Sequence, residues 1–260
     1  MSYKTILLLI FLYSFNHITV ANVDFYSINS LYNVSMRQTA SVCKDDDGFI
    51  WTASKTGVMR ISDRNVKLYH LPYNSANVLS VKLTFCHNKL LAFSNNGQLF
   101  EYNKVYDKFN LVTDLRELLA NQFIVVNKII GVENNEFLIA STSGLHRMSG
   151  EKISQNIIDN QTVNNVVKYE NDKFIYSLEE KVFIMNKYAD EHEEILDFEN
   201  VNVRIPCLYY DDENNSLWLG TMSEGLFIYN FNDSTINDFK EFNIPKQPVL
   251  AITKNINNTF

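Results

Sequence analysis

A pattern near forty residues long recurs through this chain, and it limits the folds available more than any other feature. "DDDGFIWTASKTGVMRIS" occupies residues 45–62, and "DENNSLWLGTMSEGLFIYN" occupies residues 212–230. Each has an Asp/Asn turn, a short apolar run around a Trp, small residues, a Gly and a second apolar run. Three intervening copies put another apolar residue in the Trp position. These are Leu91 in "NKLLAFSNNGQLFEYN", Leu138 in "NEFLIASTSGLHRMS" and Ile175 in "DKFIYSLEEKVFIMN". From Trp51 to Trp218 the steps are 40, 47, 37 and 43 residues. Such a period belongs to a four-stranded propeller blade or to a pair of helices.

The local pattern decides for strands. Each copy opens with a strand-like run: "TASVCK", "VLSVKLTF", "FIVVNKIIGV", "VNNVVKY" and "PCLYY". A turn of Asp, Asn and Gly follows, residue types that tolerate left-handed backbone. The next run is short and mostly apolar, as for a strand buried on both faces. A second turn carries Gly57, Gly97, Gly144 or Gly225, with Lys181 in the fourth copy. A third apolar run and a more polar fourth one complete the unit. Apolar spacing of three and four residues appears only in "TDLRELLANQF", residues 113–123, which predicts a short helical insertion and accounts for the 47-residue step. The expectation is an all-β propeller. Its blades lie near 36–71, 77–113, 122–160, 161–200 and 201–244, and a further blade starts over 247–260. Trp51 and Trp218 are expected to fill the gaps between blades.

Composition agrees with a packed, strand-rich protein. Hydrophobic residues make up 46% and charged residues 20%, while Gly and Pro number only 8 and 4. The net charge of −7 argues against a nucleic-acid partner, because an acidic balance does not neutralise a phosphate backbone. Residues 1–21 read as a signal peptide: one Lys, the apolar run "TILLLIFLYSF", then Thr19 and Ala21 at a cleavage site. No later stretch is apolar enough to cross a membrane, so no membrane contact is expected of 22–260. Three Cys in an exported chain do not make a disulfide framework or a zinc site. Cys43 and Cys207 read as buried strand thiols, and Cys86 as a turn thiol.

Two features at the ends suggest a partial ring. "VDFYSINSLYN", residues 23–33, resembles "VKLYHLPYNSA", residues 67–77, so residues 23–28 read as an outer strand without its own blade. After "NDFKEFNIP" a new inner strand, "PVLAITKN", and a turn begin. The sequence stops at Phe260, one residue before the next Trp position. The reading is five complete blades of a longer protein whose full ring has seven.

"YDDENNSLWLGTMSEGLFIYN" and "CKDDDGFIWTASKTGVMRIS" resemble the two-component regulator propeller repeat: inner strand, Asp turn, apolar residue, Trp, small residues, variable turn, Gly. The second to fourth copies match by spacing more than by residue. The resemblance implies the periplasmic sensor region of a Bacteroidetes hybrid two-component system, anchored in the inner membrane downstream of this segment. It further implies detection of carbohydrate breakdown products, control of polysaccharide-utilisation genes, and a histidine kinase outside these 260 residues.

The residues themselves point to binding, not catalysis. The histidines are scattered, no pair has metal-ligand spacing, and no phosphate loop or nucleophile motif appears. No catalytic residue, metal ligand or cofactor is assigned. The carboxylates of the first turn recur with the repeat, as a structural turn would. Propeller ligands sit where the inner strands begin. Fourteen residues before each Trp position stand Arg37, Asn77, Ile124, Gln161, Arg204 and, for the sixth copy, Gln247. Arg37, Asn77, Gln161, Arg204 and Gln247 are the candidate ligand set. Arg offers a planar fork for carboxylate or sulfate, and amides suit hydroxyls. The partner expected is an oligosaccharide, with homodimerisation of the full-length sensor. A secreted lyase-like enzyme and a purely structural interaction propeller are the competing readings.

Overall fold

The computed structural model describes Ser30 and residues 38–62, 65–74, 77–170, 172–198, 203–238 and 246–254. The signal segment 1–21, the orphan strand 23–28, Arg37 and the turn 255–260 lie outside these residues. Among the described residues twenty strands form five four-stranded antiparallel sheets, each a simple meander in chain order. The first holds β1 (Ser41–Lys44), β2 (Ile50–Ser54), β3 (Gly57–Ser62) and β4 (Asn65–Tyr69). The second holds β5 (Val81–Cys86), β6 (Lys89–Ser94), β7 (Gln98–Asn103) and β8 (Lys108–Asp114). The third holds β9 (Val126–Val132), β10 (Glu136–Ser141), β11 (Gly144–Ser149) and β12 (Lys152–Asp159). The fourth holds β13 (Val163–Tyr169), β14 (Lys173–Leu178), β15 (Lys181–Asn186) and β16 (His192–Asp197). The fifth holds β17 (Cys207–Asp211), β18 (Ser216–Gly220), β19 (Leu226–Asn230) and β20 (Thr235–Asp238). Helix α1 (Leu115–Leu118) follows β8, shorter than the span 113–123 suggests; Asp114 caps it by accepting from the Arg116 N–H at 3.0 Å.

The first strands of successive sheets touch in order: β1 on β5, β5 on β9, β9 on β13 and β13 on β17. They are the inner strands of a propeller, and each sheet is a blade laid face-on against the next. Every Trp-position residue lies in the second strand of its sheet. Trp51 is wholly buried and packs on Tyr69 of its own blade and Tyr102 and Phe109 of the second, with ring centroids 5.4, 4.8 and 6.1 Å away. Leu91, Leu138 and Ile175 are likewise buried in the gaps that follow. Trp218 is only partly buried. Its face of the fifth sheet also carries Gly220, where a Cβ would run into the Val249 carbonyl. The neighbour of that face, within the described residues, is the segment 246–254.

The first turn has a physical link to the Trp. Asp45 is buried and accepts from the Phe49 N–H at 2.9 Å and from the Trp51 indole N–H at 2.7 Å. One carboxylate closes the turn and satisfies the indole inside the core. The second turn depends on a hydroxyl three residues after the Trp position. Ser54, Ser94, Ser141 and Thr221 are all fully buried, and each accepts a backbone N–H of the turn: Thr56, Gln98, Ser143 and Glu224, at 2.9–3.2 Å. Glycine is required on the far side of that turn at Gly57, where φ is +140° and a Cβ would strike the Tyr69 carbonyl. Cys86 ends strand β5 and does not sit in a turn: the chain reverses one residue later, at His87 and Asn88, both with positive φ.

An outer staple joins the first two blades. Asp107, on the β7–β8 turn, accepts from Tyr69 at 2.7 Å and Tyr102 at 2.6 Å and pairs with Lys67. Lys67 and these phenols hold its carboxyl well below the usual carboxylate range. A depressed folded-state pKa contributes stability that is complete above the unfolded value near 4 and is lost as pH falls below it. Asp107→Asn is expected to lower unfolding free energy near neutral pH by about 1 kcal/mol, allowing for solvent screening at this half-exposed site. In urea titrations the gap from wild type should close below about pH 4. A gap independent of pH would show that the charge does not matter.

Candidate functional site

The connectors between blades and the second turns lie on one face, since each fourth strand ends where the next inner strand starts. On this face the inner strands are tied from blade to blade. The Leu83 N–H donates to Ser41 Oγ at 3.0 Å, joining the second blade to the first. Lys82 Nζ donates to the Asn127 carbonyl, Asn127 Nδ2 to the Val163 carbonyl, and Asn165 Nδ2 to the Pro206 carbonyl, each at 2.8 Å. Main-chain bonds repeat the step: Val126 to Asn95, Ile205 to Glu179 and Val249 to Thr221, at 2.9–3.1 Å. Residues 246–254 thus enter beside the fifth blade as the third and fifth enter beside their predecessors. Burial lowers the pKa of both Lys82 and Lys128 on these inner strands. It also raises the Cys43 thiol to about 11 and raises those of Cys86 and Cys207, so none is an activated nucleophile.

Of the sequence-derived ligand set, Asn77, Gln161, Arg204 and Gln247 are all exposed and stand in connectors on this face. Arg37 lies outside the described residues. Ile124, which shares their spacing, is 1% exposed and packs with Leu91 and Leu115 in the core, so an apolar side chain there is drawn inward by α1. Arg204 is the best positioned. Its Nε donates to Asn164 Oδ1 at 3.0 Å, which fixes the guanidinium plane, and its carbonyl accepts from the Met222 N–H at 3.0 Å. Asn164 is itself buried, and its Nδ2 has no hydrogen-bond partner among the described residues. A fixed guanidinium fork beside a buried amide donor suits an acidic or hydroxyl-rich group. Among the described residues no hydrogen bond joins Asn77, Gln161, Arg204 and Gln247 to one another.

Sequence reasoning passed over a second feature. His146 on β11 is 2% exposed and floors a groove between α1 and the third blade. The groove is edged by Asn121, Ser143, Asn156, Asp159 and Asn160. His146 Nδ1 lies 3.0 Å from Asn156 Oδ1, and Nε2 lies 3.3 Å from Ser143 Oγ. With the amide placed this way, Nδ1–H donates to Asn156 and Nε2 accepts the Ser143 hydroxyl. Burial pushes the His146 pKa below its ordinary value and keeps the ring neutral. The signal available in the sequence was the insertion itself, the one helical interruption of the repeat.

The Asp45–Asp46–Asp47 cluster holds no such promise. Asp45 is committed to Phe49 and Trp51, and Lys104 reaches Asp46 at 3.0 Å and Asp47 at 2.9 Å. These contacts account for a structural turn.

No family model matches the sequence, and no curated protein is significantly similar to it. Solved structures are similar in fold. The extracellular domain ascribed to the hybrid two component system BT3049 of B. thetaiotaomicron superposes with a TM-score of 0.61 at 18% identity, over 78% of this chain and 30% of that one. The corresponding domain of BT4673, from the same organism, gives 0.59 at 11% identity, over 90% and 40%. The WD40 propeller domain of Doa1 gives 0.56 at 14% identity, over 76% and 66%. At these identities the likeness shows the β-propeller fold. The chain spans 30–40% of these two extracellular domains. No helix among the described residues is long and apolar enough to cross a membrane.

His146 gives a pH prediction. A histidine whose folded-state pKa is depressed contributes stability that is complete above the unfolded value near 6.5 and is lost as pH falls below it. By NMR its ring proton should titrate below about 6.5. His146→Gln should remove that part of the stability lost on acidification which wild type shows between this value and the folded-state pKa. An ordinary titration midpoint would contradict the buried, neutral ring.

Proposed function

We propose that this chain is the extracytoplasmic ligand-sensing propeller region of a membrane-bound hybrid two-component sensor kinase. The ligand is an oligosaccharide, and the regulated genes serve polysaccharide use. The observation that carries this reading is the superposition of most of the chain on extracellular domains of hybrid two-component systems. Export on a signal peptide and a periplasmic location accord with it, as does the anchored guanidinium of Arg204 on the connector face. In this reading the propeller itself does no chemistry, needs no cofactor and passes ligand occupancy to a kinase elsewhere in the protein, which acts as a homodimer.

The test is calorimetric titration of acidic and neutral oligosaccharides into the full-length sensor and into its Arg37→Ala/Arg204→Ala variant. Loss of the two forks should weaken an acidic ligand by about tenfold or more, equivalent to about 1.4 kcal/mol. Equal affinity in the variant would remove these arginines from the binding site. A full-length protein that answers no saccharide with a change in kinase activity would overturn the sensing assignment.

A further inference from the structure

The geometry points to a second ligand site on the connector face: the groove floored by His146, with a neutral, hydroxyl-rich saccharide as its occupant. The inference rests on the sensing reading above and gives it a place and a ligand class distinct from Arg204.

Three observations converge on it. First, one wall exists only because the repeat is interrupted. Residues 115–121, which carry α1, lengthen the connector before the third blade. Insertions of this sort on a rigid scaffold are where binding surfaces are commonly built. Second, the groove is furnished for hydroxyls. Asn121, Asn156 and Asn160 bring amides, Ser143 a hydroxyl and Asp159 a carboxylate. The neutral His146 ring holds Asn156 and Ser143 from below, so two of these groups are set in place before a ligand arrives. Asp159 forms no ion pair among the described residues. Among the described residues no Lys or Arg lines the groove, which disfavours an anionic ligand and favours a neutral one. Third, the same groove is lined by the apolar side chains of Leu118, Leu119 and Ile153, which offer surface for the C–H face of a pyranose ring. Next to Asn121 stands Phe123, an aromatic 90% exposed. The volume, about 560 Å³, lies within the range of small-molecule sites.

The test uses the full chain labelled with nitrogen-15 and a panel of neutral tetrasaccharides (xylo-, cello-, malto- and mannotetraose), with tetragalacturonate beside them. At least one neutral sugar is expected to shift the side-chain amide signals of Asn121, Asn156 and Asn160. Asp159→Ala should weaken that sugar by about tenfold, and Ile153→Trp, which fills the groove, should abolish the shifts. Thermal melts of both variants show whether the fold persists. If one of them melts early, the other and the wild-type shift map decide. Silent groove signals, or unchanged affinity in both folded variants, would overturn the inference. If the groove stays silent while a saccharide moves the Arg204 Nε signal, the groove assignment fails and the sensing reading stands. If neither place responds to any sugar of either charge, both fall.

Discussion

Everything in this protein depends on one sheet being laid flat on the next. A four-stranded blade has two apolar faces and cannot bury either alone. Trp51 shows what the neighbour supplies: aromatic rings from the second blade close over a side chain that its own sheet would leave in water. The same gap recurs with Leu91, Leu138 and Ile175. Polar groups then fix the register of this apolar stack. Asp45 joins turn to core, Asp107 joins the outer edges of two blades, and the inner strands are tied along the connector face.

Much of this is legible in the sequence because the physics repeats. Period, turns and strands all follow from the copies, since each blade solves the same burial problem. The buried hydroxyls at Ser54, Ser94, Ser141 and Thr221 were legible too: they stand three residues after the Trp position in four of five copies. In the sequence they stand among the small residues that follow the Trp position, with nothing to mark their hydroxyls as turn acceptors. What the sequence does not show is what breaks the repeat. Ile124 shares the spacing of the mouth residues but is buried, because it packs with Leu91 and with Leu115 of α1. Trp218 matches the pattern best and is less buried than Leu91, because burial there is decided by the segment laid against its face and not by its own copy.

The candidate sites follow the same division. Positions counted from the repeat fall in exposed connectors, and of these Arg204 is held in a defined orientation by Asn164 from the preceding blade. The groove at His146 escapes such counting because half of it is an insertion. The repeat supplies the rigid floor and the irregularity supplies the shape.

The ties along the inner strands have a directional character. From Lys82, Asn127 and Asn165 the donor is a side chain and the acceptor is a main-chain carbonyl of the blade that follows. A main-chain carbonyl is present whatever residue carries it. Through these ties a blade demands almost nothing of its successor's identity, only that a strand begin at the right height. Coupling of this kind is blind to sequence. It lets neighbouring units diverge in residue, accept a helix between them and diversify their exposed loops, while the stack retains its order.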